Sequence, residues 1–594
     1  MSPHNKTSYL KCKVLILSGN IDKTEKSASV LHVIFAAVLL GCLSVGIYFL
    51  LTNEIKTTGA VATSNVECTK IGVDILKKGG SAVDSVVAAT LCQGVALPQS
   101  SGLGGGFIAV IYTKDSGMIE TLNAREVAPL AATKDMFPDN ISSLQGGLAI
   151  AVPGELKGLF ELHKKYGKLS WKEVVEATIE VAENGYEVTE FLSSIFDERG
   201  EVIKSKPAFL NYYTNPTTGE FYKKGELIRN PKLANTLRII AEEGADAIYG
   251  NGSLAQNIVK EIQDEGGIIT MEDLLTFEPK WGKPVISKLF NEDTIYSFPL
   301  PGSGSIVAFI LNVLQGFNFQ DNPLEYHNEN KLFYHRLVEA LKFAFGKRTK
   351  LGDEMSAEVL STLDELQSIE HAEYIRSLID DEKTFNDYEH YGANYSVIED
   401  HGTGHISILA PNGDAVAITS TINYIFGSYV MSESSGIIYN NEMNDFSIPA
   451  AVSDGLLPAP ANFIVPGKSP MSSMCPTVIV NNDNEVTMVV GGAGGILIMP
   501  SVVQFILRYL FFNESMDSSM NSKRIYHQLE PMEVVYEGEF DDEIVKFLES
   551  KQHKTYQQPN TVTGFANLVA ITRRNGIIEA GVDPRRKGAK FSIF

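Results

Sequence analysis

The chain has 594 residues, 44% of them hydrophobic, so it is long enough to bury a large core. Its 72 acidic and 50 basic side chains leave a net charge of -22, which disfavours sequence-independent binding to a nucleic-acid backbone. We therefore expect no nucleic-acid partner.

An apolar segment near the N-terminus predicts a membrane anchor in the lipid bilayer. Residues 30–51 carry no charged side chain over a length that suits the hydrocarbon core of a bilayer. Lysines precede this segment, and their excess favours a cytoplasmic N-terminus. We predict a tail at 1–29, a single-pass type II anchor at 30–51, and an extracellular catalytic domain at the plasma membrane. A cleaved signal peptide is the alternative, which the small residues at 60–62 favour and the length of the apolar segment opposes.

The segment that follows predicts two helices joined by a tight turn. A Gly-Gly pair ends the first helix and Ser81 caps the second. Three cysteines would lie in an oxidising compartment, namely Cys68, Cys92 and Cys475, and three thiols cannot all pair internally. Because the two ends of the helical hairpin can meet, Cys68 with Cys92 is the preferred disulfide, and the state of Cys475 stays open.

N-glycosylation sequons also fit an extracellular path for the chain after the anchor. They lie at Asn140, Asn251, Asn394 and Asn513. Since such tripeptides often occur by chance, they support the topology only weakly.

Helical and strand-like patterns alternate along the rest of the chain, which predicts a mixed fold. Helices are expected at 171–184 and 332–345, where apolar residues recur at three- and four-residue spacing. Two strand-like runs after Thr403 flank Asn412-Gly413, a strong hairpin signal, so Thr403 should head a strand. A further strand at 486–490 runs into a glycine-rich turn and a helix.

Glycine-rich turns can serve phosphate binding, but neither 491–495 nor 102–107 completes a dinucleotide-binding or Walker A pattern. Close backbone packing is one explanation of these glycines. The other is an oxyanion hole, because glycines let backbone N–H groups approach a developing negative charge.

Ordered sequence blocks on both sides of Thr403 carry a family resemblance. The run 403–407, Thr-Gly-His-Ile-Ser, resembles the T-x-H-x-S signature that opens the small subunit of γ-glutamyltransferases. Further blocks resemble that family in order over nearly the whole extracellular region: NAREVAP at 123–129, AVPGE at 151–155, EALKFAFGKRTKLGD at 339–353, STINYIFGS at 420–428, NNEMNDFS at 440–447, PGKSPMSSMCPT at 466–477 and DPRRKG at 583–588. The chain is identified as a member of this family.

The resemblance implies an α+β fold of the N-terminal-nucleophile hydrolase type, a four-layer αββα sandwich, here preceded by a single transmembrane helix. It also implies self-cleavage between Gly402 and Thr403, giving a large subunit (52–402) and a small subunit (403–594). The freed α-amino group would act as the base, since its ordinary pKa of about 7.7–8.0 leaves a useful neutral fraction near physiological pH.

The implied reaction is an acyl transfer from glutathione or another γ-glutamyl compound. Thr403 would form a γ-glutamyl ester, which water or an amino-acid or dipeptide acceptor resolves. The resemblance implies that Thr421 positions the nucleophile and that the N–H groups of Gly494 and Gly495 hold the oxyanion.

The glutamyl end of such a donor is a zwitterion and requires groups of both charges. The resemblance assigns Arg125, Ser472 and Ser473 to the α-carboxylate. It assigns Asn423, Glu442 and Asp445 to the α-ammonium.

No cofactor and no metal are expected, because the histidines show no paired ligand spacing beside carboxylates. His401 and His405 flank the nucleophile and are interpreted as structural. Gly404 and Asn444 depart from the family pattern, and we expect them to affect rate or acceptor preference rather than the assigned roles.

Three alternatives stay open at this stage. The first is an acylase of the same superfamily that acts on other amides; an acyl group without an α-ammonium has no use for Glu442 and Asp445, which argues against it. A non-catalytic surface protein would not need Thr403 or Thr421. A member specialised for glutathione conjugates is not distinguished by the sequence.

Overall fold

The computed structural model of the chain describes residues 58–317, 327–396, 402–453, 455–559 and 564–594. The predicted tail at 1–29 and anchor at 30–51 lie outside these residues. Within the described ranges, none of the helices combines the length and apolar character needed to cross a bilayer.

Two large antiparallel β-sheets form the centre of the fold. The strands in chain order are β1 (Ala60–Thr63), β2 (Gly106–Thr113), β3 (Met118–Ala124), β4 (Tyr186–Glu187), β5 (Leu227–Ile228), β6 (Lys280–Gly282), β7 (Val285–Lys288), β8 (Thr294–Ser297), β9 (Thr403–Leu409), β10 (Ala415–Thr421), β11 (Thr477–Val480), β12 (Val486–Ala493), β13 (Ile525–Tyr526), β14 (Val534–Tyr536), β15 (Thr555–Gln557), β16 (Asn567–Arg574), β17 (Ile577–Val582) and β18 (Lys590–Ile593). The seven-stranded sheet has the order β18-β1-β9-β10-β2-β3-β6, and the six-stranded sheet has the order β17-β16-β12-β11-β8-β7.

Helices cover the outer face of each large sheet. They are α1 (Val66–Lys77), α2 (Ala82–Ala96), α3 (Glu155–Tyr166), α4 (Trp171–Asn184), α5 (Glu190–Lys204), α6 (Pro207–Tyr213), α7 (Pro231–Glu243), α8 (Asp246–Tyr249), α9 (Ala255–Asp264), α10 (Met271–Thr276), α11 (Gly304–Gln315), α12 (His327–Arg348), α13 (Ala357–Gln367), α14 (Ile369–Leu378), α15 (Ile498–Ile506), α16 (Met516–Asn521) and α17 (Asp542–Ser550). Helices α2 and α3 pack on the seven-stranded sheet, whereas α11 and α15 pack on the six-stranded sheet. The predicted four-layer αββα sandwich is confirmed.

The strands supply apolar side chains to both of their faces, as burial inside a sandwich requires. In β2, Phe107 and Ala109 pack toward the helices, while Ile108 and Val110 pack between the two sheets. This alternation follows from the two-residue repeat of a strand. The sandwich therefore has one apolar layer between the sheets and one between each sheet and its helices.

The predicted helical hairpin is present as α1 and α2. The Ser81 hydroxyl accepts a hydrogen bond from the Asp84 N–H, and the Asp84 carboxylate accepts one from the Ser81 N–H, which forms a capping box. Cys68 and Cys92 form a disulfide with a Cα–Cα distance of 5.3 Å, so that prediction is also confirmed. Cys475 is a buried free thiol.

Other local predictions agree with the structure, with one difference in a strand end. The helix at 171–184 and the hairpin between β9 and β10 are present, and Gly413 has a φ of 90°. Strand β12 continues to Ala493 instead of ending at residue 490. The first glycines of the predicted turn thus belong to the strand, because Gly491 and Gly492 pair with Val569 and Leu568 of β16. Gly491 also packs against a histidine ring, where a Cβ would lie 2.3 Å from a ring carbon.

The sequon asparagines lie on the surface of the fold. All of them are exposed: Asn140, Asn251, Asn394 and Asn513. Their glycosylation stays a prediction.

The disulfide should contribute measurably to stability. Replacing both Cys68 and Cys92 with serine removes a crosslink between residues 24 apart in sequence. The unfolded chain gains conformational freedom, so the free energy of unfolding should fall by about 3 kcal/mol in urea unfolding. Cys475→Ser is the control that keeps the bridge, and equal stability of the double variant and the parent would contradict the prediction.

Candidate active site

The bond between Gly402 and Thr403 lies at the buried head of β9. Thr403 is 4% exposed, and its strand is an interior strand of the seven-stranded sheet. Gly402 has a φ of 98°, a backbone angle that residues other than glycine rarely adopt. A Cβ at Gly402 would lie 2.3 Å from the Asn423 carbonyl oxygen. The backbone here therefore requires glycine both for its conformation and for its close packing.

Hydrogen bonds hold the carbonyl groups on both sides of this bond. Thr421 pairs with Thr403 across β9 and β10, and its hydroxyl donates to the Gly402 carbonyl oxygen at 2.6 Å. The Asn423 N–H donates to the Thr421 hydroxyl at 2.8 Å, which orients that hydroxyl. Arg586 Nη1 donates to the Thr403 carbonyl oxygen at 2.7 Å. The Gly402 carbonyl is thus polarised by a donor whose direction is fixed.

His405 lies between the two sheets and is structural, as predicted. Its Nδ1 is 2.8 Å from the Thr419 hydroxyl, and its Nε2 is 3.1 Å from the Ser407 hydroxyl. Burial lowers the pKa of His405 to about 3, so the ring is neutral at physiological pH. His401 lies outside the described residues.

Contacts between the sheets fix how β9 lies along β12. The Ser407 hydroxyl donates to the Val489 carbonyl oxygen at 3.2 Å. Two residues earlier in β9, the His405 ring packs against Gly491, which is two residues later in β12. The two strands therefore run in opposite directions across the space between the sheets.

If this alignment continues by two residues, Thr403 faces Ala493, which immediately precedes Gly494 and Gly495. These glycines have φ values of 130° and 59°. A Cβ at Gly494 would lie 2.6 Å from the Ala566 Cα. Gly495 begins a 3-10 turn that leads into α15. The first N–H groups of such a turn have no acceptor within the helix, which is the arrangement an oxyanion hole requires.

Arg125, Glu442 and Asp445 form a buried ion cluster. Arg125 is 1% exposed, and its Nη1 is 2.5 Å from Glu442 Oε1 while its Nη2 is 2.6 Å from Asp445 Oδ2. The Arg125 Nε donates to the Pro470 carbonyl oxygen at 2.9 Å. One guanidinium therefore pairs with two carboxylates, so buried groups of both charges lie side by side.

The two predicted serines lie on the segment that contacts Arg125. Arg125 Nη2 donates to the Met471 carbonyl oxygen at 3.4 Å, one residue before Ser472. The Ser473 hydroxyl accepts a hydrogen bond from Arg348 Nη2 at 3.0 Å. Arg348 thus adds a second buried cation next to the position predicted for a carboxylate.

Asn423 joins the acids through the backbone. Its side-chain amide donates to the Asn441 carbonyl oxygen at 3.1 Å, directly before Glu442. The structure therefore brings together the predicted carboxylate-binding and ammonium-binding residues on elements that meet at the head of β9.

Two buried carboxyl groups near the site were missed by sequence reasoning. Burial raises the pKa of Glu126 to about 8 and that of Glu155 to about 8, so both are largely protonated near neutral pH. Ser420, the residue before Thr421, donates a hydrogen bond from its hydroxyl to the Glu155 carboxyl group. Both acids lie inside the family blocks, as Arg348 and Arg586 do, but nothing in residue spacing singles them out.

A polar cluster away from the nucleophile has ligand types that a metal could use. His335 and Glu339 lie one turn apart on α12, close to His553, a spacing that the sequence analysis overlooked. His335 Nδ1 is 2.9 Å from His553 Nε2, and Glu339 accepts a hydrogen bond from the Thr384 hydroxyl at 2.5 Å. The Lys342 ammonium lies 3.6 Å from Glu339 and balances its charge. These contacts satisfy the cluster through protein groups alone.

Comparison with known proteins agrees with this geometry. The family model described as gamma-glutamyltranspeptidase matches residues 68–593. The chain belongs to the γ-glutamyltranspeptidase family. It is 41% identical over 534 residues to Scoloptoxin SSD14 of Scolopendra dehaani, which covers 89% of this chain and 91% of that protein. It is 40% identical over 548 residues to Glutathione hydrolase 2 of Arabidopsis thaliana, which covers 89% of this chain and 93% of that protein.

A solved structure supports the fold of this family member. The crystal structure of cephalosporin acylase from Bacillus halodurans has a TM-score of 0.75 and 24% sequence identity, and the match covers 90% of this chain and 96% of that chain. At this identity the likeness shows the fold alone. The N-terminal-nucleophile hydrolase fold is therefore confirmed, and substrate class has to be argued from the site.

Arg125 should be needed for stability as well as for binding. In Arg125→Lys, a single ammonium cannot reproduce the contacts to Glu442, Asp445 and the Pro470 carbonyl. The free energy of unfolding in urea should fall by about 3 kcal/mol, because a carboxylate stays buried without its partner. The control is Arg336→Lys at the partly exposed pair with Asp381, where less than about 1 kcal/mol is expected. Equal losses at both positions would contradict the prediction.

Glu155 should make stability fall as pH rises. Its pKa of about 8 in the folded chain is above the ordinary value of 4.5, so the folded state keeps a proton that the unfolded state releases between these pH values. Stability should fall by up to about 1.4 kcal/mol per pH unit in this window and no further above it. Glu155→Gln, which mimics the protonated group, should give a flatter curve of unfolding free energy against pH. Parallel curves for parent and variant would contradict this assignment.

Proposed function

We propose that this family member is a self-processing glutathione hydrolase and γ-glutamyltransferase that uses Thr403 as its nucleophile. The observation that carries the proposal is the contact between the Thr421 hydroxyl and the Gly402 carbonyl, at a buried bond in a chain of this family. The proposal includes the glutathione donor, the threonyl ester and the acceptors expected from the sequence.

Processing would begin when the Thr403 hydroxyl attacks the Gly402 carbonyl carbon. The C–N bond breaks as the nitrogen takes up the hydroxyl proton, which frees the Thr403 amine and leaves Gly402 joined to the Thr403 oxygen as an ester. Water then hydrolyses the ester, which releases Gly402 as a carboxylate and restores the Thr403 hydroxyl. The Thr421 hydroxyl is aimed at the oxygen that becomes negative during this attack, so it would stabilise the intermediate.

The resulting subunits, 52–402 and 403–594, would stay associated through a shared sheet. Strands β9 and β10 of the small subunit pair with each other and lie between β1 and β2 of the large subunit. Cleavage at the head of β9 removes one covalent bond and leaves these ladders of hydrogen bonds unchanged.

Turnover would use the amine released by processing. The α-amine of Thr403 accepts the hydroxyl proton as the oxygen attacks the γ-amide carbonyl of the donor, and the departing amine takes up a proton. The N–H groups of Gly494 and Gly495 would hold the oxyanion. Water or an amino-acid or dipeptide acceptor then attacks the γ-glutamyl ester and restores Thr403.

The ion cluster supports an α-amino-acid head group on the donor. Its carboxylate would contact Arg125, Ser472 and Ser473, while its ammonium would contact Asn423, Glu442 and Asp445. The ion pairs of Arg125 with Glu442 and Asp445 would thereby give way to contacts of each group with the opposite charge on the donor. An acyl group without an α-ammonium would leave the contacts assigned to Asn423, Glu442 and Asp445 unused, which argues against a glutaryl acylase.

We also propose an extracellular catalytic domain held at the plasma membrane by residues 30–51. The lysines before this segment favour that orientation. The disulfide between Cys68 and Cys92 suits an oxidising compartment, and the exposed sequons are accessible for glycosylation.

Variants at Thr403 and Thr421 test the proposal. The full-length chain is separated by denaturing electrophoresis, the smaller band is sequenced from its N-terminus, and release from a chromogenic γ-glutamyl anilide is measured. Thr403→Ala should give one uncut, inactive chain, and Thr403→Ser should still be cut because it keeps a hydroxyl.

Thr421→Val should slow processing by roughly a hundredfold, since the donor to the Gly402 oxygen is lost. A processed and active Thr403→Ala variant would rule out the proposed nucleophile.

A further inference from the structure

A loop of the predicted large subunit, residues 139–146, is fastened to the turn that carries Glu442 and Asp445. The side-chain amide of Asn444 donates to the Asn140 carbonyl oxygen at 3.0 Å and to the Ser143 hydroxyl at 2.6 Å. Asn444 is 7% exposed, and both hydrogens of its amide are used in these contacts. The turn and the loop are therefore joined by one buried side chain.

Two further bonds from the predicted small subunit hold the far end of the same loop. The Asn441 side-chain amide donates to the Leu144 carbonyl oxygen at 3.0 Å. The Gly146 N–H donates to the Ser428 carbonyl oxygen at 2.9 Å. The loop is thus fixed along its length by residues that would belong to the other subunit after processing.

This loop forms one wall of a cleft of about 390 Å³. Asn140, Ile141 and Leu144 line the cleft on the loop side, and Tyr424 and Asn444 line it on the other side. Tyr424 and Asn444 each adjoin in sequence a residue assigned to the donor ammonium. The cleft therefore borders the segments that carry two of the assigned donor residues, Asn423 and Asp445.

The chemistry of residue 444 decides whether the end of the loop at Asn140 and Ser143 is held. A carboxamide offers two N–H donors, whereas an aspartate at this position would offer none to the Asn140 carbonyl and would place negative charge beside that oxygen. An aspartate would also add a negative charge one residue from Asp445. These two effects have opposite consequences for a donor that carries an ammonium group.

We propose that Asn444 is a positioning residue that fastens the 139–146 loop and fixes the cleft wall for the leaving group and the acceptor. The proposal rests on the proposed function, because it takes the site as the donor site of a γ-glutamyl transfer. Asn444 acts through the loop and does not touch the reacting atoms.

Steady-state kinetics of the full-length Asn444→Asp and Asn444→Ala variants distinguish a role in holding the 139–146 loop from an effect of charge at position 444. If Asn444 fastens the loop, both variants raise KM for glutathione and for a dipeptide acceptor by roughly tenfold, and kcat with the chromogenic anilide changes little. If residue 444 affects donor binding only through its lack of charge, Asn444→Asp lowers the donor KM and Asn444→Ala leaves it unchanged. That second pattern would overturn the proposal.

Hydrogen exchange measured by mass spectrometry provides a readout independent of turnover. Backbone amides in 139–146 should exchange faster in both Asn444 variants than in the parent. Ser143→Ala, which removes one of the two acceptors, should show a smaller change in the same direction. It also keeps the test decisive if an Asn444 variant fails to fold.

Asn386→Asp is the matched control. Its exposed amide likewise donates to a carbonyl oxygen, that of Gln552, and touches none of the site residues. It should leave both KM values and loop exchange unchanged. Unaltered loop exchange in Asn444→Ala would overturn the fastening role. Failure of the parent to process or to release the anilide would instead defeat the proposed function, so the two failures are distinguishable.

Discussion

The buried peptide bond at the head of β9 is the constraint on which the rest of the structure depends. Gly402 needs a left-handed backbone and has no room for a Cβ, while Thr421 and Arg586 hold the carbonyl groups on either side. These contacts require β9 to lie between β1 and β10 inside the larger sheet. The sandwich therefore serves to hold one bond in a single orientation, with a donor already aimed at its oxygen.

Charge balance is the second constraint around this bond. Arg125 compensates Glu442 and Asp445, and Glu126 and Glu155 avoid the cost of buried charge by keeping their protons. The site thus places buried groups of both charges side by side at the ion cluster. An amino-acid head group, which carries one charge of each sign, matches such a cluster better than an uncharged or purely anionic acyl group.

Much of the fold could be predicted from the sequence because local signals and ordered blocks agreed. Ser81 indicated a helix start, Asn412-Gly413 indicated a hairpin, and the ends of α1 and α2 indicated the disulfide between Cys68 and Cys92. The end of β12 could not be predicted in the same way. Its glycines resemble a turn in sequence, and they continue the strand because they pair with β16; the histidine of the other sheet explains why residue 491 is a glycine.

The site shows the same division between local signals and three-dimensional contacts. Family blocks identified Arg125, Thr421 and Asp445, but residue spacing could not show that Arg125 is held by the acids assigned to the ammonium. Nor could it show that Arg586 reaches the Thr403 carbonyl, because these residues are 183 positions apart in sequence. Such contacts arise from the packing of distant segments, which a linear pattern does not record.

Trapping the acyl-enzyme identifies the nucleophile. The processed protein is mixed with a γ-glutamyl anilide, quenched rapidly in acid, digested and examined by tandem mass spectrometry. If Thr403 is the nucleophile, a single γ-glutamyl group is attached to its hydroxyl in a peptide that begins with that residue. A γ-glutamyl group on any other side chain, or turnover by a chain still intact at Gly402–Thr403, would contradict it.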